Sequence, residues 1–314
     1  MSTLSAETSE SFDRREFDRL FEEVKNWGRW GSEDARGALN HLTPARVAAA
    51  AAGVREGRTV SLAHDLDTVA GPDNHKPALH YMSQCSDIDD IEPRVNMDFL
   101  GMDFHGKSIT HLDALCHCNY QGKLFNGVSS AEAVTSGGSA FGSVMSASSG
   151  IIGRGVLLDV PRSRGVEWLD PGTAVHPEEL QRVAAEEGVQ LSQGDIVLVR
   201  TGARRRRAAL GPWDPSNFSA GLFPTVMRWL HQHEIAVLGG DADSDARPSP
   251  VDGVTSPIHA LALTAMGLHL VDNVNLEPLA ATCAELNRWE FLCVLAPLRV
   301  PGGTGSPLNP IAIF

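Results

Sequence analysis

The second half of the chain alternates between short apolar runs and amphipathic stretches. Residues 155–160 (GVLLDV) and 195–202 (DIVLVRTG) are apolar runs with the length of a buried strand. Residues 176–188 (HPEELQRVAAEEG) carry a proline in the first turn and end at a glycine, as helices do. The alternation continues with a helical pattern at 222–233, a strand at 235–241, a helix at 276–286 and a strand at 291–300. Strands that alternate with helices predict an α/β fold.

The first half of the chain predicts helices that lead into the sheet. Apolar residues follow the i, i+3, i+4, i+7 spacing of an amphipathic helix at Phe17, Leu20, Phe21 and Val24. Thr43 and Pro44 provide an N-cap and a first-turn proline for an alanine-rich helix that ends at Gly53. Residues 59–67 (TVSLAHDLD) then predict a strand.

Length and charge limit the possible functions. A chain of 314 residues can bury a large core, and we divide it into an N-terminal polar segment and helix, residues 1–26, and a single catalytic domain, residues 27–314. The net charge of −13 argues against a nucleic-acid-binding surface, which needs a basic stripe. The basic run at residues 204–207 (RRRR) is short and predicts a solvated loop or helix face.

Neither a membrane span nor a secretion signal is predicted. The chain lacks a run of about 18 apolar residues, so we expect no transmembrane helix and no membrane partner. Its N-terminus is polar and acidic and lacks the apolar centre of a signal peptide. Five cysteines without CxxC spacing fit a reducing compartment better than a disulfide framework, which predicts a cytoplasmic protein.

Residues 105–117 (HGKSITHLDALCH) place three of the twelve histidines beside an aspartate. His111 and Asp113 are two residues apart, so on an extended segment their side chains point to the same face. His117 follows four residues later, and His105 precedes His111 by six. These groups are either unrelated polar residues near a turn or the core of a metal site. Their apolar neighbours favour the metal site, because buried polar groups need partners.

A second polar cluster, residues 256–273 (SPIHALALTAMGLHLVDN), could supply further ligands. Pro257 predicts a loop that enters a helix at His259, and Gly267 predicts the end of that helix. A strand follows, in which we interpret His269 as structural. Asp272 is near the end of this strand, where α/β folds place their ligands.

Three more acidic residues lie in the stretch at 239–250 (GGDADSDARPSP). Asp241, Asp243 and Asp245 alternate along it, but the glycine and late glutamate of a calcium-binding EF-hand loop are missing. We interpret the stretch as a structural or substrate-shaping loop.

The segment THLDALCH (110–117) resembles the THxDxxxH core of the metal-dependent cyclase family, which includes bacterial kynurenine formamidase and isatin hydrolase. The segment PIHALALTAMGLHLVDN (257–273) resembles the second motif of that family. The likeness extends over about residues 27–300 and is closest to the larger members, known as cyclase family proteins. It implies a swivelling β/β/α domain, with a mixed central sheet flanked by helices, that assembles into homodimers or homotetramers.

The resemblance also implies roles for individual residues. His111, Asp113, His259 and Asp272 match metal ligands, and Asp113 matches the carboxylate that can bridge two ions. Asp272 stands where the small formamidases have glutamate. His117 matches the histidine proposed as the acid/base. The small enzymes carry their first ligand where this chain has Lys107, so we assign that role to His105, following the HGxxxTH pattern of the larger members.

The expected function follows from this ligand set. Histidine and aspartate without thiolate suit Zn²⁺ or Mn²⁺, as one ion or two. The chain has no G-x-S-x-G motif, which disfavours a serine hydrolase. We predict a metal-dependent hydrolase that uses a metal-activated water to cleave an amide, cyclic amide or lactone bond in a small molecule, with C–N bonds preferred. The alternatives are a metal-dependent cyclase or dehydratase, and a non-catalytic protein that binds a metal or small ligand.

We also expect a homodimer or homotetramer. The resemblance implies such an assembly. In addition, the apolar face of the helix predicted at residues 17–24 has no evident partner in the sequence.

Overall fold

The computed structural model describes residues 12–86 and 92–314 of the chain. Its strands are β1 Thr59–Ser61, β2 Leu79–Gln84, β3 Met97–Gly101, β4 His111–Asp113, β5 Val134–Thr135, β6 Gly138–Ser139, β7 Ile151–Asp159, β8 Ala174–Val175, β9 Ile196–Arg200, β10 Gly221–Leu222, β11 Val237–Gly240, β12 His269–Asp272, β13 Glu290–Leu295, β14 Gly305–Pro307 and β15 Ile311–Ile313. Its α-helices are α1 Arg14–Glu23, α2 Pro44–Ala52, α3 Ser130–Ala133, α4 Val160–Arg164, α5 Pro177–Glu186, α6 Ala203–Leu210, α7 Val226–Gln232, α8 Pro257–His259 and α9 Glu277–Leu286. A π-helix, Ala260–Met266, directly follows α8.

A nine-stranded mixed sheet organises the described residues, in the order β1-β15-β13-β7-β9-β11-β12-β4-β14. Its centre is parallel: β7, β9, β11 and β12 are parallel neighbours, and the outer pairs are antiparallel. Every residue of β9 and β11 is buried, as is typical of parallel strands whose two faces are both covered. The predicted α/β class, with a mixed central sheet flanked by helices, is confirmed.

Most of the predicted elements are present, but two strands end earlier than expected. The strand predicted at 59–67 ends at Ser61, where its partner strand β15 begins after Pro310. Proline has no backbone N–H, so the ladder cannot continue past that point. The strand predicted at 291–300 ends at Leu295, two residues before Pro297. Helix α2 begins as predicted, with the Thr43 hydroxyl accepting a hydrogen bond from the backbone N–H of Arg46.

Helix α1 is part of the hydrophobic core. Phe17, Leu20 and Phe21 are buried there, and both phenylalanine rings contact Tyr120, with ring centroids 5.4 and 5.0 Å apart. The Tyr120 hydroxyl donates a hydrogen bond of 2.6 Å to Asp18 on the same helix. The expectation that this apolar face lacks a partner within the chain was therefore wrong. The contact joins residues about a hundred positions apart, which periodicity cannot reveal.

The β2–β3 hairpin leaves apolar side chains in solvent. Large exposed residues lie along both strands: Leu79, Tyr81, Met82, Met97, Phe99 and Leu100. The Tyr81 and Phe99 rings stack on each other at 5.1 Å between centroids, but the hairpin is a separate two-stranded sheet. An exposed apolar surface of this kind is typical of an interaction site. No helix among the described residues is both long and apolar enough to cross a membrane.

A buried carboxyl group makes the fold sensitive to pH. One Glu187 oxygen accepts a hydrogen bond of 3.1 Å from the backbone N–H of Asp159, and the other is buried without a partner among the described residues. Burial raises the pKa of Glu187 to about 8, above its ordinary value of 4.5. An acid with a raised pKa binds its proton more tightly in the folded state. The free energy of unfolding therefore falls as the pH rises from about 4.5 to 8.

We predict that Glu187→Gln reduces the fall in the free energy of unfolding with rising pH. Glutamine keeps the acceptor for Asp159 but cannot ionise, so the variant should retain up to about 3 kcal/mol that the wild type loses between pH 5 and pH 8. Urea unfolding at the two pH values measures the difference. Glu178→Gln, which changes an exposed residue in the first turn of α5, is the control and should follow the wild type. Identical pH dependence in Glu187→Gln and the wild type would contradict the prediction.

Candidate metal centre

Two antiparallel strands bring the first ligand candidates together. In the pairing of β4 with β12, His111 lies directly opposite Asp272. Asp113 projects to the same face as His111, whereas the side chain of Leu112, between them, belongs to the core on the other face. Asp113, His111 and Asp272 are all buried. The i, i+2 spacing seen in the sequence therefore places its two residues on one face, as predicted.

The loop before β4 adds His105 to the cluster. Its Nδ1 lies 2.9 Å from Oδ1 of Asp113, and its Nε2 forms a 2.9 Å hydrogen bond with the Thr304 hydroxyl. Gly305 leaves room for this approach, because a Cβ at that position would lie 2.9 Å from the His105 ring and 2.3 Å from the carbonyl oxygen of Leu112. His105, which we predict to be the first ligand, thus lies in direct contact with the Asp113 carboxylate.

Lys107 is outside the cluster and binds a carboxylate. Its ammonium group forms an ion pair with Asp243, which also accepts hydrogen bonds of 3.0 and 2.8 Å from the Arg247 guanidinium. The residue at the usual first-ligand position therefore takes part in a separate charged group beside the cluster.

His259 enters from the opposite side, at the end of α8. Its Nε2 lies 3.5 Å from Oδ2 of Asp113 and 3.4 Å from Oδ2 of Asp272. Its Nδ1 donates a hydrogen bond of 2.6 Å to Asp245. Asp245 also accepts from the backbone N–H of Ile258, which orients the carboxylate. In the neutral ring this leaves Nε2 unprotonated and able to bind a metal ion, and outer carboxylates of this kind commonly orient metal ligands.

His111 is oriented in the same manner by the backbone. Its Nδ1 donates a hydrogen bond of 2.8 Å to the carbonyl of Ile109, and its Nε2, which is unprotonated in the neutral ring, lies 3.4 Å from Oδ1 of Asp113. The Asn273 side chain donates to the same carbonyl and to that of Gly106, which fixes the loop that carries the ligands. Asn273 is thus a supporting residue of the second motif.

His117 is the most solvent-accessible histidine of the cluster. Its side chain is 28% exposed, its Nε2 lies 3.8 Å from Oδ2 of Asp113, and its ring stacks on His105 at 3.9 Å between centroids. Burial, followed by the neighbouring imidazoles of His105 and His259, lowers the pKa of His117 to about 4. The imidazole is therefore neutral at pH 7 and can accept a proton.

The cluster has the chemistry of a cation site. Both Asp113 oxygens, Nδ1 of His105 and Oδ1 of Asp272 are buried without a hydrogen-bond partner among the described residues. Burial opposes protonation of His259, yet the neighbouring carboxylates of Asp113, Asp245 and Asp272 raise its pKa well above the usual value. The carboxylates thus make the site attractive to positive charge, and a divalent ion would satisfy the unpartnered atoms.

The donor atoms fall into two groups that share Asp113. One contains His105, His111 and Asp113, and the other contains Asp113, His117 and His259, each with its ligand atoms within 4.8 Å of one another. Asp272 borders the second group through its contact with His259. The nearby thiols do not compete, because burial raises the pKa of Cys118 to about 11 and keeps it protonated.

Other candidates from the sequence lie outside the cluster. His269 is completely buried, its ring nitrogens have no hydrogen-bond partner among the described residues, and burial lowers its pKa to about 4, as suits a structural residue. Asp241 accepts hydrogen bonds from Thr201 and from the first backbone amides of α6. Of the three aspartates in residues 239–250, Asp245 alone binds a ligand candidate directly.

The sequence matches the family model "Cyclase", described as "Putative cyclase", over residues 59–244. A crystal structure described as a novel cyclase is 31% identical to this chain, with 93% of this chain and 100% of the other covered and a TM-score of 0.83. The chain belongs to the cyclase family. The resemblance inferred from the two motifs is therefore confirmed.

More distant members of this fold have similar structures. Isatin hydrolase A from Labrenzia aggregata, bound to benzyl benzoate, is 23% identical, with 82% of this chain and 93% of that chain covered and a TM-score of 0.58. Isatin hydrolase A from Ralstonia solanacearum is 22% identical, with 86% and 98% covered and the same TM-score of 0.58. These likenesses show a shared fold. No match was found among curated proteins.

Sequence analysis missed two residues that support the histidines of the cluster. Asp245 was assigned only to a loop, although it orients His259. Thr304, which binds His105, lies in a glycine-rich stretch, residues 300–310, that was not among the candidate site residues. The alternation of three aspartates was the available signal for Asp245. Nothing in the sequence pattern indicated Thr304.

We predict that metal binding depends on His111 and is independent of His269. The purified protein should carry about one or two divalent ions per chain. His111→Leu removes a donor and should weaken metal affinity by at least about tenfold. His269→Leu makes the same replacement at a buried histidine outside the cluster, so it is the matched control and should retain the metal. Elemental analysis of folded protein, before and after loading with Zn²⁺ or Mn²⁺, measures both. Equal metal content in the two variants would contradict the assignment.

Proposed function

We propose that the protein is a metal-dependent hydrolase that cleaves an amide, cyclic amide or lactone bond in a small molecule. The main observation that supports this proposal is the buried group of histidines and aspartates around Asp113. Both Asp113 oxygens lack a hydrogen-bond partner among the described residues. The fold shared with isatin hydrolases supports the proposal, because isatin is a cyclic amide. Preference for C–N bonds is part of this proposal.

His105, His111 and Asp113 would hold one ion, and Asp113, His259 and Asp272 would hold a second. This set of nitrogen and carboxylate oxygen donors suits Zn²⁺ or Mn²⁺. When bound, such an ion lowers the pKa of a coordinated water from 15.7 to about 7 and polarises a carbonyl group. The buried carboxylates and the oriented imidazoles determine where it binds.

His117 is the residue that we assign to proton transfer. Its neutral imidazole can accept a proton from the attacking water and return it to the leaving nitrogen or oxygen. Stacking on His105 holds the ring in place, and its partial exposure lets it reach a substrate. Asp113, 3.8 Å from Nε2 of His117, and His259, 6.2 Å away between ring centroids, are among its charged or titratable neighbours in the cluster.

The alternative of a non-catalytic binding protein depends on two departures from the family pattern. These are lysine at position 107, where the small enzymes have their first ligand, and aspartate in place of glutamate at position 272. His105 now stands at the cluster in place of Lys107, and Asp272 lies within 3.4 Å of His259 despite its shorter side chain. Both facts favour a complete site. Cyclisation or dehydration would use the same donors, and the family description keeps that reaction as the second candidate.

We predict that His117→Asn keeps the metal and loses turnover. General acid–base groups contribute about 10²- to 10⁴-fold, so the rate should fall within that range. Metal content and hydrolysis are measured on the same preparation with a panel of amides, cyclic amides and lactones, including isatin.

The comparison with His111→Leu separates the possible roles of His117. A ligand variant should lose metal and activity together, whereas His117→Asn should lose activity alone. Full metal content with a near-normal rate would remove the catalytic role. Loss of metal from His117→Asn would make His117 a ligand, which the geometry of the second donor group permits.

We further propose that the protein is a cytoplasmic homodimer or homotetramer. The exposed apolar residues of the β2–β3 hairpin support association. The apolar face of α1 is buried in the core, so the hairpin is the better candidate for the contact. The free state of the five cysteines supports a reducing compartment.

We predict that light scattering at micromolar concentration reports a dimer or tetramer. Leu100→Asp, in the hairpin, should shift the population towards monomer, because it places a charge in an apolar contact. Leu298→Asp changes a similarly exposed leucine elsewhere and is the matched control, which should leave the assembly intact. A monomeric wild type would refute the proposal, and equal effects of the two variants would exclude the hairpin as the contact.

A further inference from the structure

A cavity of about 280 Å³ lies beside the metal centre, with one apolar wall and one charged wall. Leu66, Trp213 and Pro215 form the apolar wall. The Trp213 ring is fixed by a hydrogen bond of 2.7 Å from its Nε1 to the carbonyl of Phe218 and by the Arg206 guanidinium, 4.6 Å from the ring centroid. A rigid aromatic wall in a cavity of this size suits a small organic molecule.

The cavity adjoins the proposed reaction site. Lys107 and Ser108 line it and also line a second cavity, of about 200 Å³, which His105 borders. Asn273, next in the chain to Asp272, lines the larger cavity as well. The larger cavity is therefore adjacent to the cavity that His105 borders.

Most of the acidic groups that line this cavity are already paired with donors of the protein. Asp73 and Asp67 bind the Arg207 guanidinium, and Asp243 binds Lys107 and Arg247. Both oxygens of Asp241 are occupied by Thr201 and the amides of α6. Asp65 is the remaining acid, and it is exposed to solvent.

Arg204 is the exception among the basic groups. It lines the cavity and is half-buried, yet its guanidinium makes no hydrogen bond or ion pair with any residue in 12–86 or 92–314. The other arginines of α6 all have contacts: Arg205 with Glu167, Arg206 with Trp213, and Arg207 with Asp73. The prediction of a solvated face therefore fails for Arg207 and leaves Arg204 as an unpaired cation in the cavity.

The nearby His64 adds no second positive charge beside Arg204. Burial, and then the charges of Arg204 and Arg207, lower the pKa of His64 to about 4, so its imidazole is uncharged at pH 7. The Arg204 side of the cavity thus presents a positive charge next to a neutral ring. Guanidinium groups in such settings bind carboxylates through paired hydrogen bonds.

We propose that Arg204 binds a carboxylate of the substrate, at the end remote from the bond that is cleaved. The wall of Leu66, Trp213 and Pro215 would hold an aromatic or aliphatic body between the two ends. The assignment rests on the proposed hydrolase function and narrows its substrate class to anionic amides, cyclic amides or lactones. Arg204 then determines specificity and takes no part in the proton transfer.

A matched pair of small ligands tests this assignment. Binding of 4-fluorobenzoate and of 4-fluorobenzamide to the full-length protein is measured by ¹⁹F NMR titration, since the two differ chiefly in charge. The wild type should bind the benzoate more tightly. Arg204→Gln should weaken benzoate binding by about tenfold or more, the size expected for a charge-assisted hydrogen bond, and change benzamide binding by less than about twofold.

Three controls define the outcome. Arg205→Gln, on the same helix but paired with Glu167, should leave both affinities unchanged. Asp65→Asn should leave benzoate binding unchanged or tighter, since it removes a competing anion. The Arg204→Gln effect should persist in a His111→Leu background, in which the metal site is weakened. If the benzoate instead bound the metal ion, the effect of Arg204→Gln would be absent in that background.

Several results would overturn the proposal: no saturable binding of the benzoate to the wild type, equal weakening of both ligands by Arg204→Gln, or disappearance of the effect in the His111→Leu background. None of these measurements requires turnover. Failure of the hydrolase proposal would appear separately, as absence of metal or of hydrolysis.

Discussion

The site depends on the carboxylate of Asp113, which is completely buried. Moving a carboxylate out of water costs several kcal/mol unless other groups compensate for it. Here His105 and His111 approach one oxygen, while His117 and His259 approach the other. These neighbours lower the pKa of Asp113 well below its usual value despite its burial. The surrounding loops and strands are therefore arranged so that one charge is tolerated in the core.

The sheet sets the geometry around that charge. Strand β4 has only three residues and lies between β12 and β14, so both of its edges are paired. A shift of one residue in register would turn Leu112 towards the cluster and His111 and Asp113 away from it. On one side His111 faces Asp272, and on the other Gly305 faces Asp113 and admits His105. Pairing on both edges fixes the ligand positions more firmly than the loops alone would.

Periodicity and spacing predicted the parts of the fold that depend on local interactions. The buried strands β7, β9 and β11 and helices α2 and α5 follow from apolar runs and caps, because neighbouring residues determine them. The i, i+2 pair of His111 and Asp113 is local in the same sense. The hairpin β2–β3 was not predicted, since its apolar residues do not follow the pattern of a half-buried strand.

The remainder of the site is defined by contacts over long distances in the chain. Spacing alone could not decide between His105 and Lys107, because the choice depends on Asp243, more than a hundred residues away, which binds the lysine. His259 and Asp272 were assigned through the family resemblance and their position near a strand end. Asp245 lies opposite His259 only once the loop has folded. Such pairings cannot be read from composition or periodicity.

The position of β4 in the sheet has a consequence for the order in which the protein is built. Both neighbours of β4 are encoded much later: β12 begins at residue 269 and β14 at residue 305. During synthesis, which proceeds from the N-terminus, this strand stays without its partners until almost the whole chain has emerged. His111 and Asp113 are thus among the first residues of the centre to be synthesised. They are among the last to be covered by neighbouring strands. A ribosome that stops before residue 269 releases a chain that carries the motif but has no pocket to hold an ion.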